Sequence, residues 1–569
     1  MNWVKKHKLL AVKAIQFNGW PYIKLEDLWS ALHSSFNSAQ SHEVDLQLLD
    51  DIPDKVTESW TLFSREELIN AIEKCNNLSA SGPDKLTWSH IRRIIQSKEC
   101  IAKFIDIANT CIDLGCWPSH FKMSMTVIIL KPNKAVYNSP KSFHPIILLN
   151  MIGKLFEKMI GEHLQFLMIS NNFIHLCQLG GLKQRFTTNV RVALTHFICS
   201  GWVKNLSTSM LAFDIFQFFP FLNHQLLSLI MDKAGLDYKV STFFKNYLVR
   251  RKTKYLWNDF LSPLCSVDVG VGQGSALSLM LSSLYLSSIF HILEKCLKIL
   301  KIPISIISFV DNGLFISQNK FIPHSNANLF CSYNVISSLL MRFSLVVKYR
   351  KTKVFYFSRS HGAFNPSSFN LTTTRGPILL PKTLWQYLGF IFNQKLTFQH
   401  HIDFYANKAI FTVKCIKMLG NSSRGINPLQ KRRLYRCCAL PIILYGFLLW
   451  YYNKAPINYY LSILRKLQWR AALWISSAFY TSPTSGIKAI SSLIPVHLHL
   501  KKLYGRFLLR ESSLPSNHII SSILSSDGVY DHNCYSISID YLTPKQRLYL
   551  KSTLIDVDNR HNKLFPSFS

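Results

Sequence analysis

The sequence has few acidic residues. Aspartate and glutamate number 31 against 65 lysines and arginines in 569 residues, which leaves a formal net charge of +34. So large an excess of positive charge favours a polyanionic partner, because each phosphate that a cation neutralises releases bound counterions. Nucleic acid is the first candidate and an anionic membrane surface is the second, although a basic surface without a specific target has the same composition.

The sequence also lacks paired cysteines, a signal peptide and a long apolar run. Its 13 cysteines include no C-x-x-C pair, and their odd number does not suit a disulfide framework or a zinc site. We therefore predict buried free thiols in a reducing compartment. The basic N-terminus has no apolar signal core. An uncharged stretch at residues 437–452 is shorter than the roughly 20 residues of a spanning helix, and we predict a buried core element there.

What the sequence does contain is a series of strand and helix patterns, in a chain that is 48% hydrophobic. Apolar runs predict strands at 127–130, 209–215, 304–310 and 314–317. Helical spacing of apolar residues predicts helices from about Ser64, over 155–167, from about Asn223 and from about Ser275. The Asn312-Gly313 pair predicts a hairpin turn. With a mainly helical pattern beyond about residue 405, this order predicts an α+β domain followed by a helical one.

Two aspartates stand where a carboxylate is costly. Asp214 ends an apolar strand, and Asp311 lies at the tip of the predicted apolar hairpin. If the fold brings them together they repel, and a divalent cation resolves both problems because Mg²⁺ prefers oxygen ligands. Two such ions about 4 Å apart can activate a 3′-hydroxyl and stabilise leaving pyrophosphate. Either aspartate taken alone favours an ordinary strand-end or turn residue.

Eight short motifs follow one another between about residues 79 and 400. In chain order they are SGPDK (81–85), KPNK (131–134), SFHPI (142–146), FDIFQFF (213–219), GQGSALS (272–278), FVDN (309–312), KTK with FS (351–353 and 357–358) and YLG (387–389). They resemble the upstream signature, the fingers motifs and motifs A to E of reverse transcriptases from non-LTR (LINE-like) retrotransposons. Residues 432–483 further resemble the region after the palm in the fungal type of these elements. Each motif is weak alone, but eight in the family's order are improbable by chance.

The resemblance implies an α+β right-hand polymerase with a mainly helical C-terminal region. Its implied parts are an N-terminal segment of unknown role at 1–60, fingers at 61–200, a palm at 201–405, a thumb-like region at 406–510 and a tail at 511–569. The implied activity is that of an RNA-directed DNA polymerase, which uses an RNA template, a DNA primer, dNTPs and two Mg²⁺ ions, or Mn²⁺. No membrane partner is implied, and a retrotransposon life cycle implies a nuclear location. Neither end leaves room for an endonuclease or a ribonuclease H domain, so we expect a piece of a larger polyprotein.

The resemblance also implies roles for single residues. Asp214 and Asp311 become metal ligands, and Asn312 and Lys351 complete the catalytic set, with Lys351 as the acid that protonates pyrophosphate. The predicted nucleotide contacts are Phe219 as a steric gate, Gln273, Gly274 and His144. The predicted primer grip is Tyr387, Leu388 and Gly389, and the predicted nucleic-acid contacts of the thumb are Arg432, Arg433, Arg465, Lys466 and Arg470. Without the resemblance, Phe219 fits core packing, the glycine loop a plain turn, Lys351 a solvated lysine, and the thumb cations a solvated basic face.

Several positions depart from the family's pattern. Asn312 stands where the family has aspartate, and its amide carbonyl can ligate a cation but brings no charge, which weakens metal binding. His144 replaces an arginine and, being mostly neutral at pH 7, cannot make the same bidentate contact. Leu279 and Phe216 depart as well. We therefore expect reduced polymerase activity. The alternatives are a catalytically inactive nucleic-acid-binding remnant and, from residues 437–452, a membrane-associated basic protein.

Overall fold

A computed structural model of the chain describes residues 15–17, 20–22, 24–52, 54–131, 137–257, 259–359, 371–373, 376–379, 381–419, 425–451 and 458–512, together with 514, 518 and 520. These residues fall into two compact units. The first unit is drawn from Met1–Lys183, Ala212–Leu314 and Cys331–Thr352, and the second from Gln184–Leu211, Phe315–Phe330 and Lys353–Ser569. Part of the predicted KPNK motif (132–134), Tyr452 and nearly all of the predicted tail lie outside the described residues.

Strands and helices alternate along both units. The strands are β1 (Ile15–Phe17), β2 (Trp20–Tyr22), β3 (Met123–Leu130), β4 (Phe143–Leu149), β5 (Ser207–Phe216), β6 (Arg251–Trp257), β7 (Phe260–Leu261), β8 (Cys265–Val267), β9 (Ser305–Phe309), β10 (Asn312–Asn319), β11 (Val346–Val347), β12 (Lys353–Phe357), β13 (Leu371–Thr373), β14 (Gly376–Leu379), β15 (Leu384–Tyr387) and β16 (Phe390–Asn393). The helices are α1 (Leu25–Phe36), α2 (Arg65–Glu73), α3 (Trp88–Ile94), α4 (Lys98–Asp113), α5 (Met151–Ser170), α6 (Thr187–Val203), α7 (Phe218–Phe221), α8 (His224–Lys233), α9 (Tyr238–Leu248), α10 (Ser278–Ile299), α11 (Ile322–Arg342), α12 (Gln399–Lys417), α13 (Pro428–Leu434), α14 (Leu440–Ile443), α15 (Asn458–Ser476), α16 (Thr484–Ile490) and α17 (Val496–Ser512).

The predicted strands and helices of the first part of the chain are confirmed, because each pattern is local. The four predicted strands are parts of β3, β5, β9 and β10, and the predicted helices are α2, α5, α8 and α10. Ser64 caps α2 in a reciprocal capping box with Glu67, and the Asn223 side chain accepts a hydrogen bond from the Leu226 amide at 3.0 Å at the start of α8. The helix predicted from about Ser275 begins at Ser278, after a turn.

The sheet of the first unit that holds β3 and β4 has the strand order β4-β3-β6-β7, with β8 also paired to β6. Strands β3 and β4 are antiparallel from Ser124↔Leu149 to Leu130↔Phe143, whereas β3 and β6 are parallel. Helix α1 buries Leu28 and Trp29 in one apolar cluster with Phe143 of β4. This packing fixes β4, the strand that bears the predicted nucleotide contact His144.

A second sheet has the strand order β11-β5-β10-β9, with β12 also paired to β5. Eight consecutive residues of β5 are buried, from Thr208 to Ile215, so this strand is covered on both faces. That is why its sequence is an apolar run rather than an alternating pattern. The chain passes between the two units five times, and three of these crossings lie within β5, within β10 and within α11.

The second unit is mainly helical after β16, which confirms the pattern predicted beyond residue 405 for the described residues. In α15, the residues Leu461, Leu464 and Gln468, which recur at helical spacing, are all buried. Strands β15 and β16 form a hairpin in which Tyr387 pairs with Phe390. No described helix is long and apolar enough to cross a bilayer.

Two predictions from composition are only partly right. The 12 described cysteines are free thiols, but only Cys75, Cys111 and Cys177 are buried. Free thiols on the surface are tolerated where no second cysteine lies within bonding distance. The stretch 437–452 is buried at Ile443, Leu444 and from Leu448 to Trp450, whereas Cys437 at its start is exposed.

Candidate active site

Asp214 and Asp311 lie side by side in the first unit. Asp214 is in β5, and Asp311 lies in the short connection between β9 and β10. The Ile215 amide donates a hydrogen bond to the Asp311 carbonyl at 3.0 Å, and the Lys348 amide donates one to the Asp214 carbonyl at 2.7 Å. These main-chain bonds hold Asp214 and Asp311 at the same end of the sheet that contains β5, β9 and β10.

The hairpin turn lies earlier than the Asn-Gly pair predicts. Val310 and Asp311 form the connection, with Val310 at a φ of +56°, whereas Asn312 and Gly313 already belong to β10. A left-handed conformation is strained for a β-branched residue. Gly313 is a strand residue rather than a turn residue. A glycine is needed there for close packing, because a Cβ would lie 2.1 Å from Cζ of Phe213. The prediction was wrong because the sequence does not show which ring covers Gly313.

Lys351 is the cation closest to this pair. Its Nζ lies 2.6 Å from Oδ2 of Asp214, and its own side chain is 54% exposed whereas that of Asp214 is 8% exposed. Burial, and then the negative charge of Asp214, raise the pKa of Asp311, while the Lys351 charge works in the opposite direction. The site is therefore two repelling carboxylates with one ammonium group bound at the solvent side.

Asn312 makes a hydrogen bond with the neighbouring carboxylate. Its amide Nδ2 donates to Oδ1 of Asp311 at 2.8 Å. The side chain thus presents a donor where an aspartate would present a second acceptor and a charge. Among the residues that the structure describes, no group of three or more His, Cys, Asp or Glu side chains is placed to hold a metal ion. Asp214 and Asp311 with the Asn312 carbonyl oxygen are the oxygen ligands available here.

The glycine-containing loop before α10 packs on β4. The Ile147 amide donates a hydrogen bond to the Gln273 carbonyl at 2.8 Å. A Cβ on Gly274, whose φ is +120°, would lie 2.6 Å from the Ile147 carbonyl oxygen, and one on Gly272 would lie 2.8 Å from the Ile147 side chain. The two glycines therefore let the loop approach β4, and this contact positions Gln273.

A buried carboxylate that the sequence analysis missed holds the other side of this loop. Glu157 of α5 is 2% exposed. It accepts hydrogen bonds from the Ser275 hydroxyl at 2.7 Å, the Tyr247 hydroxyl at 2.7 Å and the Ala276 amide at 3.2 Å. Burial raises the pKa of Glu157, and these bonds together with the Arg251 charge oppose the rise. The available signal was an acidic residue on the apolar stripe of α5, in helical register with Ile160 and Leu164.

The upstream SGPDK motif also acts through α5. Oδ2 of Asp84 accepts a hydrogen bond from the Met151 amide at 2.8 Å, at the first turn of the helix. Gly82 passes so close to β4 that a Cβ would lie 2.1 Å from the Leu149 carbonyl oxygen. A carboxylate at a helix N-terminus satisfies a free amide and complements the helix dipole. The motif therefore fixes the helix that carries Glu157.

The remaining predicted nucleotide contacts of this unit have distinct surroundings. His144 is an exposed residue of β4, and partial burial followed by the charges of Lys131 and Lys351 lowers its pKa. His144 is therefore within electrostatic reach of Lys351, the residue that bonds Asp214. Phe219 is half-buried, and its carbonyl accepts a hydrogen bond from the Val271 amide at 2.8 Å, next to the Gln273 loop.

The predicted primer grip is a tight hairpin turn in the second unit. Leu388 and Gly389 join β15 to β16 with φ angles of +47° and +81°, the pattern of a two-residue turn with both central residues left-handed. The Tyr445 hydroxyl donates to the Leu388 carbonyl at 2.7 Å, and the Tyr405 hydroxyl donates to the Gly389 carbonyl at 2.6 Å. Two tyrosines of the helical region thus bind the carbonyl groups of both turn residues.

The predicted thumb cations lie on two helices of the second unit. Arg433 of α13 is exposed and Arg432 is half-buried. On α15, Arg465, Lys466 and Arg470 are all exposed. Their neighbour Lys431 is buried, with its Nζ 5.8 Å from the centre of the Trp474 ring, so it belongs to the core of the unit. The exposed cations are free to meet a polyanion.

The sequence is similar to known polymerases. Residues 129–392 match the family described as reverse transcriptase (RNA-dependent DNA polymerase). The chain is 23% identical over 402 residues to a probable RNA-directed DNA polymerase from transposon BS of Drosophila melanogaster, covering 68% of this chain and 42% of that protein. It is 23% identical over 433 residues to the RNA-directed DNA polymerase from mobile element jockey of the same species, covering 74% and 45%. Among solved structures, an apo telomerase from Candida tropicalis, truncated from its C-terminal domain, matches at 14% identity with a TM-score of 0.34, over 48% of this chain and 53% of that one.

The chain spans less than half the length of the two curated relatives. The matched segment begins before KPNK and ends after YLG, so it holds seven of the eight motifs and every predicted catalytic residue. Residues 129–392 therefore match the reverse transcriptase family, in a chain that has the right-hand polymerase fold and is similar to RNA-directed DNA polymerases of Drosophila mobile elements.

Proposed function

We propose that the chain is an RNA-directed DNA polymerase of a non-LTR retrotransposon, which extends a DNA 3′ end with dNTPs copied from an RNA template. The observation that carries the proposal is the juxtaposition of Asp214 and Asp311, joined through the 3.0 Å main-chain bond of Ile215, inside the segment similar to reverse transcriptases. The net charge of +34 suits a nucleic-acid substrate.

The carboxylates fit a divalent cation, and we propose two Mg²⁺ ions, with Mn²⁺ as a substitute. The repulsion that raises the pKa of Asp311 is the repulsion that a cation between Asp214 and Asp311 would relieve. Such cations, when bound, activate the primer 3′-hydroxyl and stabilise the charge of the departing pyrophosphate. Asn312 contributes at most a neutral carbonyl oxygen, so the affinity for the cation is lower than with three carboxylates.

The other side chains supply positioning and a proton. Lys351 holds a proton on Nζ at the solvent side of Asp214, and we propose that it gives this proton to the leaving pyrophosphate. His144, whose lowered pKa leaves it neutral at pH 7, can donate one hydrogen bond to the triphosphate but no charge. Phe219 acts as the steric gate against a 2′-hydroxyl, and Gln273 contacts the nucleotide or template.

A catalytically inactive nucleic-acid-binding remnant is the second candidate. The hydrogen bond from Asn312 to Asp311 favours it, because that bond satisfies the half-buried carboxylate without any cation. The fold and the basic surfaces would then persist while nucleotide transfer is lost.

Primer extension on poly(rA)/oligo(dT) tests the two candidates. The native chain is assayed in Mg²⁺ and then in Mn²⁺, beside Asp214→Ala and Asn312→Asp. We expect slow incorporation by the native chain, its loss in Asp214→Ala and a gain in Asn312→Asp. Asp106→Ala, which removes an exposed aspartate of α4, is the matched control and should behave as the native chain.

The outcomes separate the candidates. Incorporation that survives Asp214→Ala would contradict the proposed site. A silent native chain with an active Asn312→Asp variant would identify an intact scaffold disabled at one ligand. If both are silent in both metals while the chain still binds nucleic acid, the remnant is the correct description.

Two finer points complete the proposal. Residues 432–483 support a fungal-type element, and a phylogeny of this segment beside insect and fungal elements tests that origin. The nuclear location rests on the life cycle of such elements, and microscopy of the tagged chain in cells tests it.

A further inference from the structure

The second unit contains a cavity whose walls include one of the predicted thumb cations, Arg470. It lies between α12 and α15 and has a volume of about 370 Å³. Its walls include Val413, Lys414 and Lys417 of α12, Trp469 and Arg470 of α15, and Tyr480 beyond α15. The volume falls in the range of about 300–1,000 Å³ that is usual for small-ligand sites.

The polar walls of this cavity are cationic. Lys414, Lys417 and Arg470 line it, and no acidic residue is among its described walls. In the described part of the chain these three side chains form no salt bridge. Burial, and then the charge of Arg470, lower the pKa of Lys417, so the two cations repel each other. An anion bound between them would relieve this repulsion.

Two aromatic residues form another part of the wall. The rings of Trp469 and Tyr480 meet edge to face, with centroids 4.6 Å apart and planes at 78°. Trp469 is half-buried, whereas Tyr480 is 76% exposed. Aromatic rings beside cations are the combination that binds single-stranded nucleic acid, because a base stacks on the ring while the phosphate meets the cation.

We infer that this cavity binds one unpaired nucleotide of a nucleic-acid strand. Its base lies against Trp469 and Tyr480, and its phosphates meet Lys414, Lys417 and Arg470. A duplex does not fit this description, because its bases are stacked on one another and present no free face to the rings. Aliphatic walls such as Val413 offer no hydrogen bonds to base edges, so little sequence preference is expected. The inference rests on the proposed nucleic-acid substrate and adds to it a single-strand subsite.

Binding by the full chain, without divalent cation or dNTP, tests the inference. The probes are a short oligo(rA) that carries one fluorescent adenine analogue, the same strand in a duplex, free AMP, and heparin as a polyanion without bases. The variants are Trp469→Leu and the pair Lys414→Ala with Lys417→Ala. The matched controls on α12 are Phe411→Leu, an aromatic that is 67% exposed and outside the cavity, and Lys408→Ala, an exposed lysine outside it.

We expect Trp469→Leu to weaken single-strand binding about 5- to 150-fold, the value of one stacked base, and to abolish the quenching of the adenine analogue. Duplex and heparin binding should not change in that variant. The double lysine variant should reduce the slope of log affinity against log salt by about 0.7 for each cation removed. Phe411→Leu and Lys408→Ala should match the native chain in single-strand affinity and quenching.

Three results would overturn the inference. In the first, Trp469→Leu binds the single strand as well as Phe411→Leu does. In the second, Trp469→Leu weakens heparin and oligo(rA) equally, which would make the cavity a general polyanion contact. In the third, AMP binds as tightly as the oligonucleotide, which would assign the cavity to a free nucleotide. Because no catalysis is needed, an inactive chain that binds through Trp469 refutes only the polymerase proposal, and an active chain indifferent to Trp469→Leu refutes only the cavity.

Discussion

Replacing Glu157 by alanine should loosen the loop that carries Gln273. The carboxylate is the shared acceptor for the Tyr247 hydroxyl, the Ser275 hydroxyl and the Ala276 amide, at 2.7, 2.7 and 3.2 Å. Ser275 and Ala276 lie two and three positions after Gln273, so the loop loses its anchor on α5 while its bond to Ile147 of β4 remains. We expect both a less stable first unit and a poorer nucleotide site.

The loss of stability in Glu157→Ala can be estimated from the hydrogen-bond donors that are left without an acceptor. Each buried donor that loses its acceptor costs about 1–3 kcal/mol. The Tyr247 and Ser275 hydroxyls lie 3.2 Å apart and can bond each other, so the total is below three full penalties. From these lost hydrogen bonds we expect Glu157→Ala to lower the free energy of unfolding by about 3–5 kcal/mol.

The Glu157→Gln variant keeps the shape of the side chain but removes its ability to carry a charge. The amide keeps one carbonyl acceptor, so a loss of about 1 kcal/mol is expected at low pH. The folded pKa of Glu157 is raised from its usual 4.5, so its stability contribution is complete below pH 4.5 and declines as pH rises through the folded value. Glutamine does not titrate. The native chain should therefore lose stability relative to Glu157→Gln as the pH rises from 4.5.

Urea unfolding and dNTP titrations in primer extension measure these effects. Glu162→Ala on the same helix is the control, because its partners Lys74 and Lys183 are more than half exposed and such pairs contribute about 0–1 kcal/mol. A positioning role predicts a raised KM for dNTP in Glu157→Gln with a smaller effect on kcat. If Glu157→Ala unfolds at the same urea concentration as Glu162→Ala, the hydrogen-bond network described above does not stabilise the fold.

Three further predictions follow from single contacts. Gly313→Ala should lower the free energy of unfolding by about 1–3 kcal/mol, because the new methyl carbon would lie 2.1 Å from Cζ of Phe213; a native-like urea midpoint would refute that packing. Asp84→Ala should cost about 1 kcal/mol through the lost bond to the Met151 amide, and Asp113→Ala, at an exposed salt bridge, is the comparison expected to cost less. Burial lowers the pKa of His401 from 6.5 to about 4. The contribution of His401 to the free energy of unfolding is therefore complete above pH 6.5, and it falls by about 3 kcal/mol as the pH is lowered to 4. Thermal melts of His401→Gln should lose less stability across this window than the native chain, and equal losses would contradict the assignment.

The elements that sequence patterns predict are those whose signal is local. The apolar run of β5, the apolar strands on both sides of Asp311 and the caps at Ser64 and Asn223 depend on neighbours within a few residues. The motifs likewise identify Asp214 and Asp311 from short stretches of sequence. Local patterns thus give the order of elements and the carboxylates at the strand ends.

The contacts that the sequence does not predict join distant residues. Glu157 meets Ser275 across 118 positions, and Lys351 meets Asp214 across 137. A motif reports that a lysine is present but not that its ammonium group bonds one carboxylate of the pair. Gly313 shows the same limit, because the Asn-Gly pair predicts a turn whereas the Phe213 ring, on another strand, requires the glycine. Only the packing of the strands decides between these roles.

Asn312 changes the balance of charge at the site more than its geometry. Asp214 and Asp311 bring two negative charges and Lys351 one positive charge, whereas an aspartate at 312 would add a third negative charge to a pair that already repels. The amide removes that repulsion and donates a hydrogen bond to Asp311, so the site is better satisfied without a cation. The amide at position 312 therefore suits the fold, and under the proposed function it slows nucleotide transfer. This is the reason why an intact sheet around Asp214 and Asp311 does not by itself distinguish a slow polymerase from an inactive one.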